Sequence, residues 1–204
     1  VPVFNASEQA AFVAGHLLEL RDQGVEMREM AILYRSHYHS MELQMELTRR
    51  NIPFAITSGL RFFEQAHIKD LAAHLKLAVN PRDELAFKRL VRMLPKIGAA
   101  TAAKLWAKLL AALDAAAGAP APAPALPPAL RALASAVPKG AQKPWQQWIE
   151  TMAQISDPAL FQEPARMIRL VLDAGYEDYL KTAFDNYLAR RDDLSQLASY
   201  AARF

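Results

Sequence analysis

A tyrosine and an arginine stand side by side at the end of an apolar run, and both side chains could act on a nucleotide. Residues 31–33 form the run, and Tyr34 and Arg35 follow it without a glycine or proline between them. A tyrosine ring can stack on the flat face of a base, and a guanidinium offers N–H donors in a rigid fork that suits phosphate oxygens. The pair indicates nucleotide binding; the alternative is packing by the ring with a surface ion pair at the arginine.

A basic segment further along the chain could attract phosphate groups. Between Arg82 and Lys108 there are seven Lys or Arg residues and two acids, an excess of five, whereas the net charge of the whole chain is only +3. The basic residues are Arg82, Lys88, Arg89, Arg92, Lys96, Lys104 and Lys108. Such a concentration of cations favours contact with a phosphate backbone, although charge alone is equally typical of a solvated helix face.

The remaining chemically capable residues form no catalytic motif. The glycines do not have the spacing of a P-loop or of a G-x-G-x-x-G loop. His37 and His39 have no carboxylate at a spacing that would complete a metal shell, so a surface turn is expected there. The carboxylates that follow are Glu42, Glu46, Glu64 and Asp70. They stand at helical spacings beside basic residues, so we expect no independent catalysis from the chain.

The overall composition sets the class of protein. The chain has 204 residues, enough for one large domain or two small ones, and it contains no cysteine. A disulfide framework and a thiolate metal site are therefore excluded, and a reducing cytoplasm is the expected location. No apolar run is long enough to cross a bilayer and no secretory signal is recognisable, so a membrane partner is not expected.

The elements that would position Tyr34 and Arg35 alternate between strand and helix over residues 1–80. Predicted strands are 1–4, 30–35 and 53–57, and predicted helices are 7–24, with Ser7 as its cap and Gly24 as its stop, and 40–50. This order predicts an α/β fold with a parallel sheet whose carboxyl edge carries the tyrosine and the arginine. Three strands make an unfinished sheet.

After Gly59 the sequence is typical of an all-α domain. Predicted helices cover residues 62–80, 83–94, 100–116, 144–155, 161–174 and 176–203. The Ala/Pro-rich segment 115–144 interrupts them and is predicted as an extended, solvated loop. The last helix has no cap, which together with the unfinished sheet suggests a piece of a larger protein.

Residues 30–91 resemble the motif IV and IVa region of UvrD/Rep/PcrA-type superfamily 1 DNA helicases. Shared groups are "LYRS", "IPF", "RFFE", "IKD" and the Asn-Pro that precedes "AF". The resemblance implies a partial RecA-like, P-loop NTPase-type motor domain (2A) over residues 1–80 and a helical 2B-type DNA-binding subdomain over 81–204. It also implies that Tyr34 stacks on the adenine of ATP and that Arg35 is an arginine finger for the γ-phosphate. ATP and Mg²⁺ would be held mainly by a domain 1A that the chain lacks.

The segment "LPKIGAATAAKLW" resembles the family's "RGIG..T" loop, which opens a helix of 2B and grips duplex DNA. Ile97, Gly98 and Thr101 match, while Lys96 replaces the first glycine. Backbone N–H groups at a helix start bind phosphate without distinguishing sequence. The resemblance thus implies a duplex contact at these four residues, and an ordinary helix N-terminus is the alternative.

Four further positions bear on the track of single-stranded DNA. Arg61 and Lys69 match the family pattern and are expected either near that strand or in structural ion pairs. Two residues depart from the pattern: His67 stands where glutamate is usual, and Ser58 replaces a glycine.

The leading interpretation is a fragment of an ATP-dependent helicase that moves 3′ to 5′ along DNA. Its partners would be single-stranded DNA, a duplex junction and the remainder of the helicase chain, and no protein partner is indicated. Because Walker A and B and motifs V and VI are absent, the fragment alone is expected to be inactive. The alternatives are an autonomous helical DNA-binding module and a helicase-derived scaffold that docks another protein.

Overall fold

The computed structural model describes residues 3–35, 37–56, 62–117 and 126–202. Within these ranges the regular secondary structure is entirely helical. The α-helices are α1 (Ala6–Asp22), α2 (Met41–Arg49), α3 (Ala66–Val79), α4 (Glu84–Val91), α5 (Ala99–Ala117), α6 (Leu126–Ala132), α7 (Gln142–Ile155), α8 (Pro164–Val171), α9 (Glu177–Ala183) and α10 (Tyr187–Ala201). No helix in the described part of the chain is both long and apolar enough to cross a membrane.

The chain forms two compact units, Val1–Gln65 and Ala66–Phe204, called here the first and second units. Helix α3 belongs to the second unit, where it packs against α4, α7, α8 and α10. The functional division into 2A over 1–80 and 2B over 81–204 remains a prediction.

In the first unit, α1 packs on α2 around a small apolar core. Ala14, Leu47 and Ile52 are buried. Half-buried apolar side chains surround them: Leu17, Leu18, Met27, Leu43 and Phe54. The apolar positions that predicted α1 from the sequence thus include residues that contact this core.

Local side-chain and backbone chemistry fixes the ends of α1. The cap is Asn5, whose side chain accepts a hydrogen bond of 2.8 Å from the Glu8 N–H, and not the predicted Ser7. At the other end Gly24 has φ 96°, and the Val25 N–H donates to the Leu20 carbonyl at 3.0 Å, so the helix stops where the sequence predicts.

The predicted parallel sheet is wrong: residues 30–34 and 52–56 lie in irregular backbone, and no strand occurs in the described residues. A strand of a parallel sheet is normally covered on both faces, yet Leu33, in the apolar run before Arg35, is 94% exposed. Short parallel strands depend on neighbouring strands and on cover from both sides. The described part of the first unit supplies neither, because α1 and α2 pack on each other around a small core.

The second unit has an aromatic core between α4, α5 and α7. Ring centroids of Phe87 and Trp106 are 5.5 Å apart, those of Phe87 and Trp148 6.3 Å, and those of Trp145 and Trp148 5.2 Å. All four rings are buried. Large aromatic side chains contribute much of the apolar area in a core of this size, so these three helices form a stable platform.

A buried polar network ties α3 to α4 and to the turn before α9. Asp70 accepts hydrogen bonds from Nε of Arg89 at 2.6 Å and from the hydroxyl of Tyr176 at 2.8 Å. Arg89 also donates to the Ala66 carbonyl at 3.1 Å. Because Asp70 is only 5% exposed, these partners are needed to compensate the loss of water around its charge.

The Ala/Pro-rich segment differs from the predicted extended loop wherever it is described. Residues 126–132 form α6, and Leu126, Leu130 and Val137 are buried. Pro127 and Pro128 lie in the first turn of α6, where a missing N–H breaks no intrahelical hydrogen bond. Composition predicted a loop because prolines interrupt helices, but their position at a helix start removes that effect.

The predicted C-terminal helix 176–203 is interrupted once, at Phe184, and the break predicted before it coincides with a kink. Gly175 has φ 119° at the kink Leu172–Tyr176. Phe184 is extended, with φ −143° and ψ 128°, and it separates α9 from α10. The Phe184 ring contacts the guanidinium of Arg190 at 3.9 Å and the ring of Tyr179 at 6.4 Å between centroids, so tertiary contacts hold the break.

Candidate functional site

Tyr34 and Arg35 lie on the surface of the first unit. The backbone leaves the short 3-10 helix Met27–Glu29 and runs irregularly through residues 30–34. Tyr34 is 36% exposed, and Arg35 is exposed and makes no ion pair with a described residue. The ring and the cation are therefore not sealed inside the unit, as stacking on a base and contact with a phosphate would require.

Tyr34 belongs to the lining of a cleft of about 840 Å³ in the first unit. Most of the lining side chains are apolar and come from α1, α2, residues 27–34 and residues 52–56. Gln44, also in the lining, is held on both sides: it donates to Ser40 Oγ at 2.8 Å and accepts from the Phe62 N–H at 3.1 Å. The cleft thus combines an apolar floor with an aromatic rim, and its volume is in the range of small-molecule sites.

The described residues offer binding groups but no complete catalytic machinery. They hold no group of three His, Cys, Asp or Glu that could ligate a metal ion. Glu46, in α2, lies between Arg49 and Arg50 at 2.7 and 2.6 Å, and its hydrogen bonds to them lower the pKa of its carboxyl to about 2. A carboxylate held ionised in this way is a poor general base.

The loop from Lys96 to Thr101, called here the 96–101 loop, lies in the second unit between α4 and α5. Lys96 has φ 63°, in the left-handed region that favours glycine. Ile97 is 5% exposed and anchors the loop, whereas Lys96 and Gly98 are exposed and Thr101 is half-buried. The Ala102 N–H donates to the Gly98 carbonyl at 2.9 Å, so Gly98 stands at the cap position of α5, and the N–H groups of the first turn have no intrahelical acceptor.

The basic residues around the 96–101 loop divide into paired and unpaired sets. Arg82 pairs with Asp114 at 2.6 Å, Lys88 pairs with Glu84, and Arg89 pairs with Asp70. Within the described ranges four cations make no ion pair: Arg92, Lys96, Lys104 and Lys108. The positive charge that remains uncompensated is therefore concentrated on the loop and on α5.

The other predicted DNA contacts have different outcomes. Arg61 and Ser58 lie outside the described residues. Lys69 is exposed on α3 and has no ion pair among the residues that the structure describes, so the predicted structural pairing is not seen there.

His67 is buried and bridges α3 to α10. Its Nε2 lies 3.1 Å from Oδ2 of Asp193, and its Nδ1 lies 2.9 Å from Nη1 of Arg190. Because a guanidinium can only donate, Nδ1 accepts and the proton resides on Nε2, where it is donated to Asp193. His67 therefore has a structural role in the second unit and presents no surface to DNA.

A match to a known domain family shows which proteins this chain is related to. Residues 3–114, more than half of the chain, match the family described as UvrD-like helicase C-terminal domain. The chain belongs to this family. The matched range contains Tyr34, Arg35 and the 96–101 loop, and it confirms the resemblance to UvrD/Rep/PcrA-type helicases.

Individual relatives agree with the UvrD-like assignment over a shorter range. DNA helicase II of Escherichia coli (strain K12) is 40% identical over 88 residues, which are 43% of this chain and 12% of that protein. ATP-dependent DNA helicase Rep of Buchnera aphidicola subsp. Baizongia pistaciae is 40% identical over 90 residues, 44% of this chain and 13% of that protein. ATP-dependent DNA helicase PcrA of Staphylococcus epidermidis is 30% identical over 100 residues, 48% of this chain and 14% of that protein. The matched part thus spans about an eighth of the length of these relatives.

Sequence reasoning missed the side chains that shape the cleft around Tyr34. Leu17 of α1 and Phe54 line it with Tyr34, although they are distant from Tyr34 in the sequence. Helical spacing identified Leu17 as an apolar position, but only the packing of α1 on α2 shows that it borders a cleft.

Proposed function

We propose that this chain is the part of an ATP-dependent DNA helicase that contributes an adenine-stacking ring and an arginine finger, followed by a helical region that contacts DNA. The direction of movement in this proposal is 3′ to 5′, and the location is the cytoplasm. The observation that carries it is the exposed Tyr34–Arg35 pair within the residues that match the UvrD-like family.

Each residue of the pair has a separate role in this proposal. Tyr34 presents its ring at the rim of the cleft and binds the base by stacking, which orients the nucleotide. Arg35 donates N–H groups to the γ-phosphate oxygens, where negative charge is stabilised during phosphoryl transfer. Because both groups belong to one surface, closure of a neighbouring domain onto that surface would switch hydrolysis on and off.

The residues present fit one side of a nucleotide. The ring is partly exposed, and the guanidinium makes no ion pair with described residues and is available to a ligand. ATP, when bound with Mg²⁺, supplies the phosphoryl group whose transfer to water drives movement. The described residues contain no cluster of metal ligands, so in this proposal the remainder of the helicase chain holds Mg²⁺ and most of ATP.

The DNA-binding part of the proposal rests on the second unit. The 96–101 loop leads into the first turn of α5, whose N–H groups have no intrahelical acceptor. Its lysine and those of α5 make no ion pair with a described residue. Such contacts bind phosphates of any sequence, as a protein that advances along DNA requires.

The nucleotide role is tested by Arg35→Ala in the full-length protein that contains this chain. We expect DNA-stimulated ATP hydrolysis to fall about 10³-fold or more, the size of an arginine-finger effect, while binding of ATP is largely kept. Arg35→Lys should also be impaired, because lysine lacks the planar fork. Tyr34→Ala should raise the KM for ATP more than it lowers kcat.

Arg21→Ala is the matched control, since Arg21 is an exposed arginine of the same unit whose ion pair, among the described residues, is with its neighbour Asp22. It should leave hydrolysis unchanged. Equal activity of Arg35→Ala and Arg21→Ala would overturn the assignment of Arg35 as an arginine finger. Mg²⁺-dependent ATP hydrolysis by residues 1–204 alone would contradict the proposal that the remainder of the helicase chain holds Mg²⁺ and most of ATP.

A second candidate is an autonomous helical DNA-binding module. It is favoured by the second unit, which is compact and has its own aromatic core. Under this alternative the isolated chain binds a duplex junction tightly, and Arg35→Ala has no effect on any activity of the full-length protein.

A further inference from the structure

A second loop of the second unit lies against the 96–101 loop. Residues Lys139–Ala141 form a short 3-10 turn that leads into α7. A Cβ atom placed on Gly140 would lie 3.7 Å from Cγ of Lys96, which is ordinary van der Waals distance. Two segments more than forty residues apart therefore meet at the lysine that replaces a glycine.

The second loop adds cations to the first. Lys139 precedes Gly140, and Lys143 follows it in the first turn of α7. Both side chains are exposed, and neither makes an ion pair with any residue in the described ranges. The next basic residue upstream, Arg131, is already paired with Glu150 at 3.5 Å.

The surrounding sequence provides almost no compensating charge. Between Glu84 and Glu150 there are nine Lys or Arg residues and a single acid, Asp114, which pairs with Arg82. Two helices that start at the meeting point of the loops, α5 and α7, both lie within this range. The chain segments that form the two loops therefore contribute lysines and no acid to this surface.

We propose that Lys139 and Lys143 form, together with the 96–101 loop, a single two-loop surface that holds the phosphodiester backbone of duplex DNA. This inference rests on the proposed function and extends it to a chain segment that the family match does not reach, since that match ends at residue 114. Phosphates are closely spaced along a duplex, so neighbouring phosphates can meet lysines from the two loops together.

Duplex DNA suits this surface better than an anionic membrane does. Lipid surfaces are bound through exposed apolar side chains as well as charge, but Ile97 of the first loop and Val137, just before the second loop, are only 5% and 4% exposed. Gly98 and Gly140 are exposed, and glycine allows a backbone to approach another chain closely. The surface offers charge and close approach without an apolar anchor.

The test is binding of residues 1–204 to a duplex with a 3′ single-stranded tail, measured over a range of salt concentrations. Lys139→Ala should lower the slope of log affinity against log salt by about 1, as expected for one lost phosphate contact. The loss should be the same on two duplexes of unrelated sequence. The double variant Lys139→Glu with Lys143→Glu should weaken binding about tenfold or more at low salt.

Lys181→Glu is the control, because it reverses one charge, as Lys96→Glu does, at a lysine of α9 that is paired with Glu177 and Asp178. Far-UV circular dichroism and tryptophan emission check that every variant folds. If Lys96→Glu weakens binding and the Lys139 and Lys143 variants match the Lys181 control, the two-loop surface is refuted while the 96–101 loop keeps its role.

Two other outcomes would also be decisive. If no lysine variant changes affinity, or if the chain does not bind the tailed duplex at low salt, both DNA assignments are wrong, and the Arg35 experiment still judges the nucleotide role by itself. If the same variants abolish binding to phosphatidylserine vesicles and leave DNA binding unchanged, the occupant is a membrane and the inference is overturned.

Discussion

At the scale of single residues, Lys96 holds a backbone conformation that usually favours glycine. Its φ of 63° lies in the left-handed region, which costs an L-residue about 1–2 kcal/mol. The buried Ile97 next to it and the start of α5 two residues later hold the backbone in that conformation. The loop therefore combines a strained backbone with an added positive charge.

This conformation predicts an unusual order of substitution effects at position 96. Lys96→Gly removes the left-handed strain but adds freedom to the unfolded chain, so the free energy of unfolding should change by less than about 0.5 kcal/mol. Lys96→Val should lower it by about 1–2 kcal/mol, because a β-branched side chain fits this region poorly. Urea unfolding followed by tryptophan emission measures both values.

Lys104, an exposed lysine inside α5, is the matched site. At position 104 the glycine variant should lower the free energy of unfolding more than the valine variant does, because glycine costs about 1 kcal/mol in a helix interior and valine costs less. The same order at both positions would show that the backbone of Lys96 is not left-handed.

The candidate site could be predicted from the sequence only where neighbouring residues carry the signal. Tyr34 and Arg35 are adjacent, and the 96–101 loop is continuous, so local spacing sufficed to find both. Lys139 could not be found in this way, because it follows an Ala/Pro-rich stretch, and its neighbour Gly140 approaches Lys96 only through the packing of α5, α6 and α7.

At the scale of elements, His74 joins α3 to the kink before α9. Its Nδ1 donates to the Asp70 carbonyl at 2.9 Å, and its ring meets that of Tyr176 edge to face with centroids 5.9 Å apart. Burial is the main reason that the pKa of His74 is lowered to about 4. The contacts between these elements therefore require an uncharged imidazole.

We expect the stability of the second unit to fall as the solution becomes acidic. The pKa of His74 is 6.5 when unfolded and about 4 when folded, so on acidification the unfolded chain takes up the proton first. The free energy of unfolding should decrease from about pH 7 to about pH 4, by about 3 kcal/mol in total from this group. Urea unfolding at intervals of pH measures the slope.

His74→Gln supplies the comparison, because glutamine is polar but does not titrate. Between pH 6.5 and pH 5 most carboxylates remain ionised. In this range the free energy of unfolding of His74→Gln should change less with pH than that of the wild type. Equal slopes in the two proteins would show that His74 takes up its proton at the ordinary pH.

Helices were predictable because each carries its own signal, whereas the sheet was not. Apolar spacing and the Gly24 stop located α1, and similar periodicity located α3, α5 and α7. The segment 30–35 has the composition of a strand, but a strand exists only when other strands pair with it. The loop predicted over residues 115–144 was wrong at α6, because composition does not show that the two prolines of this helix lie in its first turn, where proline is tolerated.

At the scale of the whole molecule, the two units differ in how many large side chains their cores bury. The first unit buries few large side chains and borders an apolar cleft of about 840 Å³. The second unit contains all three tryptophans, Trp106, Trp145 and Trp148, and each is at most 8% exposed. Tryptophan emission therefore reports on the second unit alone.

This asymmetry predicts that the chain does not unfold in a single step. In urea, far-UV circular dichroism should lose part of its helical signal, from α1 and α2, before tryptophan emission changes. Phe12→Trp, which places an indole on the exposed side of α1, should add an early phase to the emission curve. Coincident curves for both probes and for the variant would mean that the chain unfolds cooperatively as one body.

The link from His67 to Arg190 and Asp193 brings the first and last helices of the second unit, α3 and α10, side by side. The chain consequently enters this unit beside α10, whose end at Ala201 lies about 12 Å along the helix from Asp193, a distance that a short linker can span, as circular permutation requires. Such a unit could be exchanged as a whole between related proteins during evolution. A circular permutant could also be made by joining its two ends and creating new termini in another loop.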